Sequence, residues 1–247
     1  MKYYYILLSF FFICTTMTKT TKQVLPQKAN LVSQIEPLSI THPEPDKGSL
    51  LICCGSMCAG KSERLIELVG RKIIAGKKVL TLKPAIDNRK ILHLEHDATS
   101  YIASRNGSWI PCLPVSSIAD MQKAVQESDA TIVAIDEIHF FTPEKDAFIK
   151  FVKDLLAFKK EVMLFGLDLD FRGEPFGPMP ELLAYADQVV KLTAICHTCG
   201  TDTFCISQRL VDDKPAHYND SIIVVDGSQT IVKYEPRCRK CHIIRKD

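Results

Sequence analysis

The sequence predicts an α/β fold in three layers, a parallel sheet between two layers of helices, followed by a small cysteine-clasped module. Three observations predict it. From Gly48 onward, apolar runs alternate with stretches of helical periodicity. Several of those runs are continuous in Val, Ile and Leu, the pattern of strands buried on both faces. Near Ile195 the composition turns to Cys, His, Thr and Asp, and no long helical pattern follows.

The expected strands are 50–54, 78–83, 110–115, 131–135, 162–167 and 188–194. The expected helices are 63–75, 118–127 and 145–158. This divides the chain into an extension (1–47), an α/β domain (48–194) and a small domain (195–247). The extension begins with Lys2 and an apolar run from Tyr3 to Cys14, like the head of a signal peptide, yet no small-x-small cleavage site follows. It is too short to span a bilayer, and residues 15–47 are polar with scattered proline. Export or anchoring is one reading; a dispensable tail on a cytoplasmic protein is the other, and a need for reduced thiols favours it. Lys+Arg 31 against Asp+Glu 29 gives no global field to steer the chain to nucleic acid or membrane.

The first apolar run leads into Gly55-Ser56-Met57-Cys58-Ala59-Gly60-Lys61-Ser62, and a helical pattern follows. Strand, G-x-x-x-x-G-K-[ST], helix is the context of a P-loop. Its glycines let backbone N–H groups cradle phosphate oxygens, Lys61 adds a point charge, and the Ser62 hydroxyl is a ligand for Mg²⁺. The helix directs its partially positive end at the same anion. The fold is therefore expected to be of the P-loop NTPase type, RecA-like, and to bind ATP with Mg²⁺. The run 131–135 ends in Asp136 and Glu137, the Walker-B arrangement that sets a carboxylate beside the P-loop metal. Alternation along a strand predicts that Glu137 faces away from Asp136, toward a second substrate, with a solvated turn residue as the plain alternative.

Cys196-His197-Thr198-Cys199 and Cys238-Arg239-Lys240-Cys241 have the spacing of a structural zinc site, Cys196, Cys199, Cys238 and Cys241 supplying four thiolates. His197 and His242 are possible substitutes, and a disulfide or four unrelated thiols are the alternatives. A closed four-ligand site has no open position for substrate. Cys112 and Cys205 read as packing residues.

These signals in this order, with the segments KPAIDNR (83–89), IASRNG (102–107), DEIHFF (136–141), GLDLDFRGEPFGPMPEL (166–182), KLTAICHTCG (191–200) and YEPRCRKCH (234–242), resemble the type II, zinc-containing thymidine kinases from about Gly48 to His242. The resemblance implies transfer of the γ-phosphoryl of ATP to the 5′-hydroxyl of thymidine, with Glu137 as catalytic base. It further implies that Asp136 serves the metal, that Asp87, Asn88 and Arg89 lie near the phosphates, and that Ile138 and His139 run on beside the nucleotide. Arg172 would also lie close to the reacting groups. Phe171 would stack on the thymine ring, while Ile223, Val224, Val225, Asp226, Gly227 and Tyr234 would belong to a lasso closing over the base. The same resemblance implies a homotetramer inhibited by dTTP, and the balanced charge predicts no nucleic-acid or membrane partner. His139 departs from it, standing where the family more often carries Gln.

Two other readings stand beside this one. Asp136-Glu137-Ile138-His139 spells the DExH box of nucleic-acid-dependent ATPases, although a single sheet-sized domain leaves no room for their second lobe. A zinc ribbon can also be a non-enzymatic nucleic-acid module, which the balanced charge and the lack of a basic, aromatic-interleaved stripe oppose.

Overall fold

A computed structural model of the chain describes residues 47–87, 100–224 and 232–246. The extension as far as residue 46 lies outside the described residues, as do Asn88, Arg89, Val225, Asp226 and Gly227.

Six strands form the central sheet: β1 (Ser49–Cys54), β2 (Val79–Pro84), β5 (Leu113–Val115), β6 (Ile132–Ile135), β7 (Glu161–Gly166) and β8 (Gln188–Lys191). Their order is β5-β2-β6-β7-β1-β8, and every neighbouring pair is parallel. The side-chain period of two splits each central strand between two cores. On one face Leu50, Ile52, Val133, Ile135, Val162 and Leu164 pack under α2 (Ile118–Gln126), α3 (Lys145–Ala157) and α4 (Met179–Tyr185). On the other, Cys53, Ile132, Ala134, Met163 and Phe165 pack under α1 (Lys61–Ile74) and a hairpin of β3 (Tyr101–Ala103) and β4 (Trp109–Pro111). Two cores back to back give the three layers, with both faces of the parallel sheet covered.

The helices form for local reasons as well. α1 buries Leu65, Leu68 and Val69 on one stripe, and carries Glu63 in its first turn and Arg71 and Lys72 in its last, as the helix dipole favours. At α2 the Ser117 hydroxyl accepts from the Asp120 N–H, and the Asp120 carboxylate accepts from the Ser116 N–H. Such reciprocal capping satisfies donors that the first turn leaves orphaned.

Two expected strands are divided. The run 110–115 serves two sheets: β4 pairs antiparallel with β3, whereas β5 pairs parallel with β2. Pro114 is accommodated because β5 is an edge strand. The run 188–194 leaves the sheet after Lys191, and β9 (Ala194–Ile195) pairs instead with β10 (Asp202–Thr203). α4, seven residues long, and the β3–β4 hairpin are too short for periodicity to announce. Beyond them β12 (Lys214–Pro215), β11 (Cys205–Val211) and β13 (Val232–Cys238) form a second antiparallel sheet in that order. Among the described residues no helix is long and apolar enough to cross a membrane.

Candidate active site and metal centre

The loop from Gly55 to Ser62 joins the C-terminal end of β1 to the start of α1. Gly60 holds a left-handed φ of 84°, which disfavours a side chain. At Gly55 (φ 147°) an added Cβ would lie 2.8 Å from the Leu192 carbonyl oxygen, so close approach also demands glycine. The buried Lys61 ammonium donates to the carbonyls of Gly55 at 3.1 Å and Ser56 at 2.8 Å. The Met57 N–H donates to the Ser207 hydroxyl of β11 at 2.9 Å, tying the loop to the second sheet. Burial pushes the neighbouring thiols up, Cys53 to about 12 and Cys54 to about 11. They are packing groups beside the loop and not nucleophiles.

Asp136 and Glu137 follow β6, both buried. The expected strand alternation does not separate them, because β6 ends at Ile135 and Glu137 adopts a left-handed conformation, φ 50° and ψ 43°. Its N–H donates to Asp136 Oδ1 at 2.9 Å. The turn aims the second acid, and a 3₁₀ stretch, Ile138–Glu144, continues from it. His139 Nδ1 lies 3.5 Å from Glu137 Oε2 and accepts from the Leu167 N–H at 3.3 Å. Its ring sits against Phe140 and Phe176. Asp87 is buried at the end of the segment after β2, 3.9 Å from the Lys83 ammonium.

A cavity of about 280 Å³ opens between these elements and the second sheet. Met57 of the loop, Asp87, Glu137 and His139 line it together with Phe171, Phe176, Ser207, Ile223, Val224 and Tyr234. Apolar walls with a few converging polar groups are the usual make-up of a small-molecule site. Phe171 is held from behind. The Arg209 guanidinium carbon lies 3.5 Å from its ring centroid, and His242 Nε2 lies 2.8 Å from its carbonyl oxygen. Arg172, expected beside the reacting groups, is engaged by Asp170 at 2.6 Å and Glu174 at 3.4 Å.

The sulfurs of Cys196, Cys199, Cys238 and Cys241 all lie within 4.8 Å of one another. Cys199 and Cys238 are 3.8 Å apart, close to the edge of a tetrahedron with Zn–S bonds of about 2.3 Å. The Cys238 N–H donates to Cys196 Sγ and is the main cause of pulling that thiol down to about 6. Cys241 is pushed up to about 12, chiefly by its hydrogen bond with Cys238. Four thiols this close cannot all ionise alone, and a divalent cation among them would supply the compensating charge. The donor set fits structural zinc in a zinc ribbon. Neither neighbouring histidine is drawn into it, since His242 meets Phe171 and His197 lies 3.5 Å from Glu235.

A family model described as thymidine kinase matches residues 48–242. The chain belongs to the thymidine kinase family. That family's match covers the sheet, the loop, the acids, the cavity and the cysteine cluster together. Among solved structures, the chain is similar to a DNA replication initiation factor at 11% identity and a TM-score of 0.35, covering 58% of this chain and 40% of that one. It is similar also to domain III of the Thermotoga maritima replication initiation protein DnaA at 12% and 0.35, covering 61% and 56%. The chain thus spans about half the length of these structures, and neither likeness carries an argument about it.

The thymidine kinase pattern in the sequence pointed to most of this lining. It gave no role to Ile86, Phe140, Leu167, Phe176, Ser207, Ile222 and Val232 of the lining, nor to Arg209 behind Phe171. Phe176 stood inside a segment already singled out. Ser207 and Arg209 alternate along β11, and nothing local marks that strand as facing a cavity.

Proposed function

We propose that this chain is an ATP-dependent thymidine kinase that transfers the γ-phosphoryl group to the 5′-hydroxyl of thymidine, with Glu137 as the catalytic base. One observation carries the reading most: the Glu137 carboxylate lines the same cavity as Met57 of the P-loop and the aromatic wall of Phe171 and Tyr234. A nucleoside whose base rests on Phe171 would bring its hydroxyl toward the acid and its acceptor oxygen toward the loop.

Binding comes first. The loop amides, the N-terminal end of α1 and Lys61 hold the triphosphate. Asp136 and the Ser62 hydroxyl, hard oxygen donors of the kind Mg²⁺ takes, would hold the ion, which when bound would neutralise charge on the phosphate oxygens. Phe171 stacks on the base while Ile223, Val224 and Tyr234 cover it, which excludes water. Glu137 accepts the hydroxyl hydrogen bond and orients the oxygen in line. It takes the proton late, since the loose transition state of phosphoryl transfer does not require a pre-formed alkoxide. The zinc cluster performs no chemistry and holds the ribbon from which the covering segment hangs. The resemblance assigns Asn88 and Arg89 to the phosphates and Val225, Asp226 and Gly227 to the base.

The decisive experiment is ADP formation by the full chain with and without thymidine, with thymidine monophosphate as the co-product. Turnover that requires thymidine and yields the monophosphate in equal amount supports the reading. ATP hydrolysis indifferent to thymidine but stimulated by RNA would favour the helicase-like alternative.

A further inference from the structure

Arg209 is among the largest fully buried side chains of the molecule, 1% exposed in the middle of β11. A buried guanidinium is ordinarily matched by a carboxylate or by a full set of acceptors. Here Nη2 donates to the Ser221 carbonyl at 2.6 Å, the Tyr234 side chain hydrogen-bonds the guanidinium, and Asp220 and Asp170 act on it electrostatically, yet Nε and Nη1 have no hydrogen-bond partner among the described residues. The face of the guanidinium covers the Phe171 ring, with Cζ 3.5 Å from its centroid. Its partner across the strand pair is Tyr234. Arg209 itself does not line the cavity, but Phe171 and Tyr234 do, as do Ile222 and Ile223 just after Ser221.

An apolar side chain of similar volume would fill this position without the desolvation that two unpaired nitrogens cost. What the guanidinium offers instead is geometry. It is flat, so it can stack on a ring, and its fork can reach a carbonyl at the same time. The two things it holds belong to the two walls of the cavity. Phe171 comes from the loop after β7, and Ser221 directly precedes Ile222, Ile223 and Val224, which line the cavity.

We propose that Arg209 is a positioning residue for the nucleoside, fixing the Phe171 ring and the Ser221 carbonyl so that the two walls keep the separation a flat base requires. The inference rests on the reading that Phe171 is the wall on which the base stacks. His242 divides the labour, because it holds the Phe171 carbonyl from beside Cys241 and leaves the ring itself to Arg209. Removing the guanidinium should therefore loosen the ring without releasing the backbone. Loosening of this kind weakens nucleoside binding and leaves the P-loop untouched.

The test is steady-state kinetics of the full, zinc-containing chain for Arg209→Met, Arg209→Lys, Phe171→Leu and the Arg209→Met/Phe171→Leu double variant. Met fills the volume without a planar face; Lys keeps the charge and one donor but loses the fork. We expect Arg209→Met to raise the thymidine KM about tenfold, a free-energy change near 1.4 kcal/mol, with the ATP KM within about twofold and zinc content unchanged. Arg209→Lys should fail to restore the thymidine KM, and it carries the test if the Met variant does not fold. The double variant should be little worse than the poorer single one, because both changes remove the same contact. Wild-type thymidine KM in both Arg209 variants would overturn the proposal. So would an equal rise in both KM values, or effects that multiply in the double variant. Phe171→Leu distinguishes the two levels of failure. If it leaves the thymidine KM unchanged, the stacking reading fails; if it raises that KM while Arg209 variants do not, the fault lies with Arg209 alone.

Discussion

In the proposed function the phosphates rest mainly on one stretch of chain, Gly55 to Ser62, with Asp87 and Asp136 added from elsewhere, whereas the wall for the base is gathered from three: the loop bearing Phe171, strand β11, and the segment leading to β13. In that proposal the loop offers mostly backbone N–H groups together with the Lys61 charge, and its turn requires glycine at Gly55 and Gly60. At the base end the walls are side chains, and they are held by other side chains: Arg209 behind Phe171, His242 on its carbonyl, Ser207 reaching back to Met57. A turn that cradles an anion can be specified locally because its geometry is set by a few consecutive φ/ψ values. A slot for a flat base cannot, since its width is a distance between separate elements. In this proposal a metal clasp is needed at one end only.

If the two ends are so divided, substitutions should separate in their kinetic signatures. The largest effect belongs to Glu137→Gln, which keeps the size and loses the proton acceptor. We expect kcat to fall roughly 10²–10⁴-fold with ATP affinity nearly intact. Near-wild-type turnover at saturating thymidine would remove Glu137 from the base role. Lys61→Ala follows, with kcat/KM lower by about 10²–10³-fold, the range for one lost electrostatic donor. It should weaken ATP binding and turnover together. If instead only the thymidine KM moved, the assignment of the loop to the phosphate end would fall.

Cys238→Ser probes the other end. Metal analysis should find zinc in the wild type and less in the variant, and the thymidine KM should rise about 10–100-fold, the scale on which perturbed metal surroundings act. The ATP KM should change much less. Equal damage to both values would mean that the clasp supports the whole fold and that the two ends are not separable. Wild-type protein free of zinc after purification without chelators would reject the cluster as a metal site.

The same division explains what could be read in the sequence. The P-loop, the acid-ended strand and the paired cysteines are contiguous patterns, and their chemistry follows from spacing alone. The central strands were legible because continuous Val/Ile/Leu runs have few other uses. Boundaries failed where one apolar run serves two sheets, at Cys112 and again after Lys191. Glu137 shows a subtler failure. The direction in which it faces was expected from strand alternation, but a left-handed turn stabilised by Asp136 orients it. Arg209 could not have been found, because an arginine in an alternating strand reads as solvent-facing. Only the packing of β11 against Phe171 shows that it is buried.

His139 lines the cavity beside Glu137, and its substitution should have the smallest effect. Nδ1 accepts a hydrogen bond from the Leu167 N–H, so in this arrangement that nitrogen carries no proton. The same nitrogen is the one nearest Glu137, at 3.5 Å. It cannot accept from Leu167 and donate to the carboxylate at once. A protonated ring would have to give up the Leu167 bond to place its charge on Glu137, and packing against Phe140 and Phe176 leaves it little room to turn. A glutamine amide oxygen can accept from the same N–H. We therefore expect His139→Gln to keep activity near neutral pH and to give a pH–rate profile superimposable on the wild type between about pH 5.5 and 8, the window in which an ordinary histidine titrates. An ionisation in that window, present in the wild type and absent from the variant, would show that the histidine tunes the base. It would also tie the chemistry to the Leu167 side of the cavity, and the division between the two ends would have to be redrawn there.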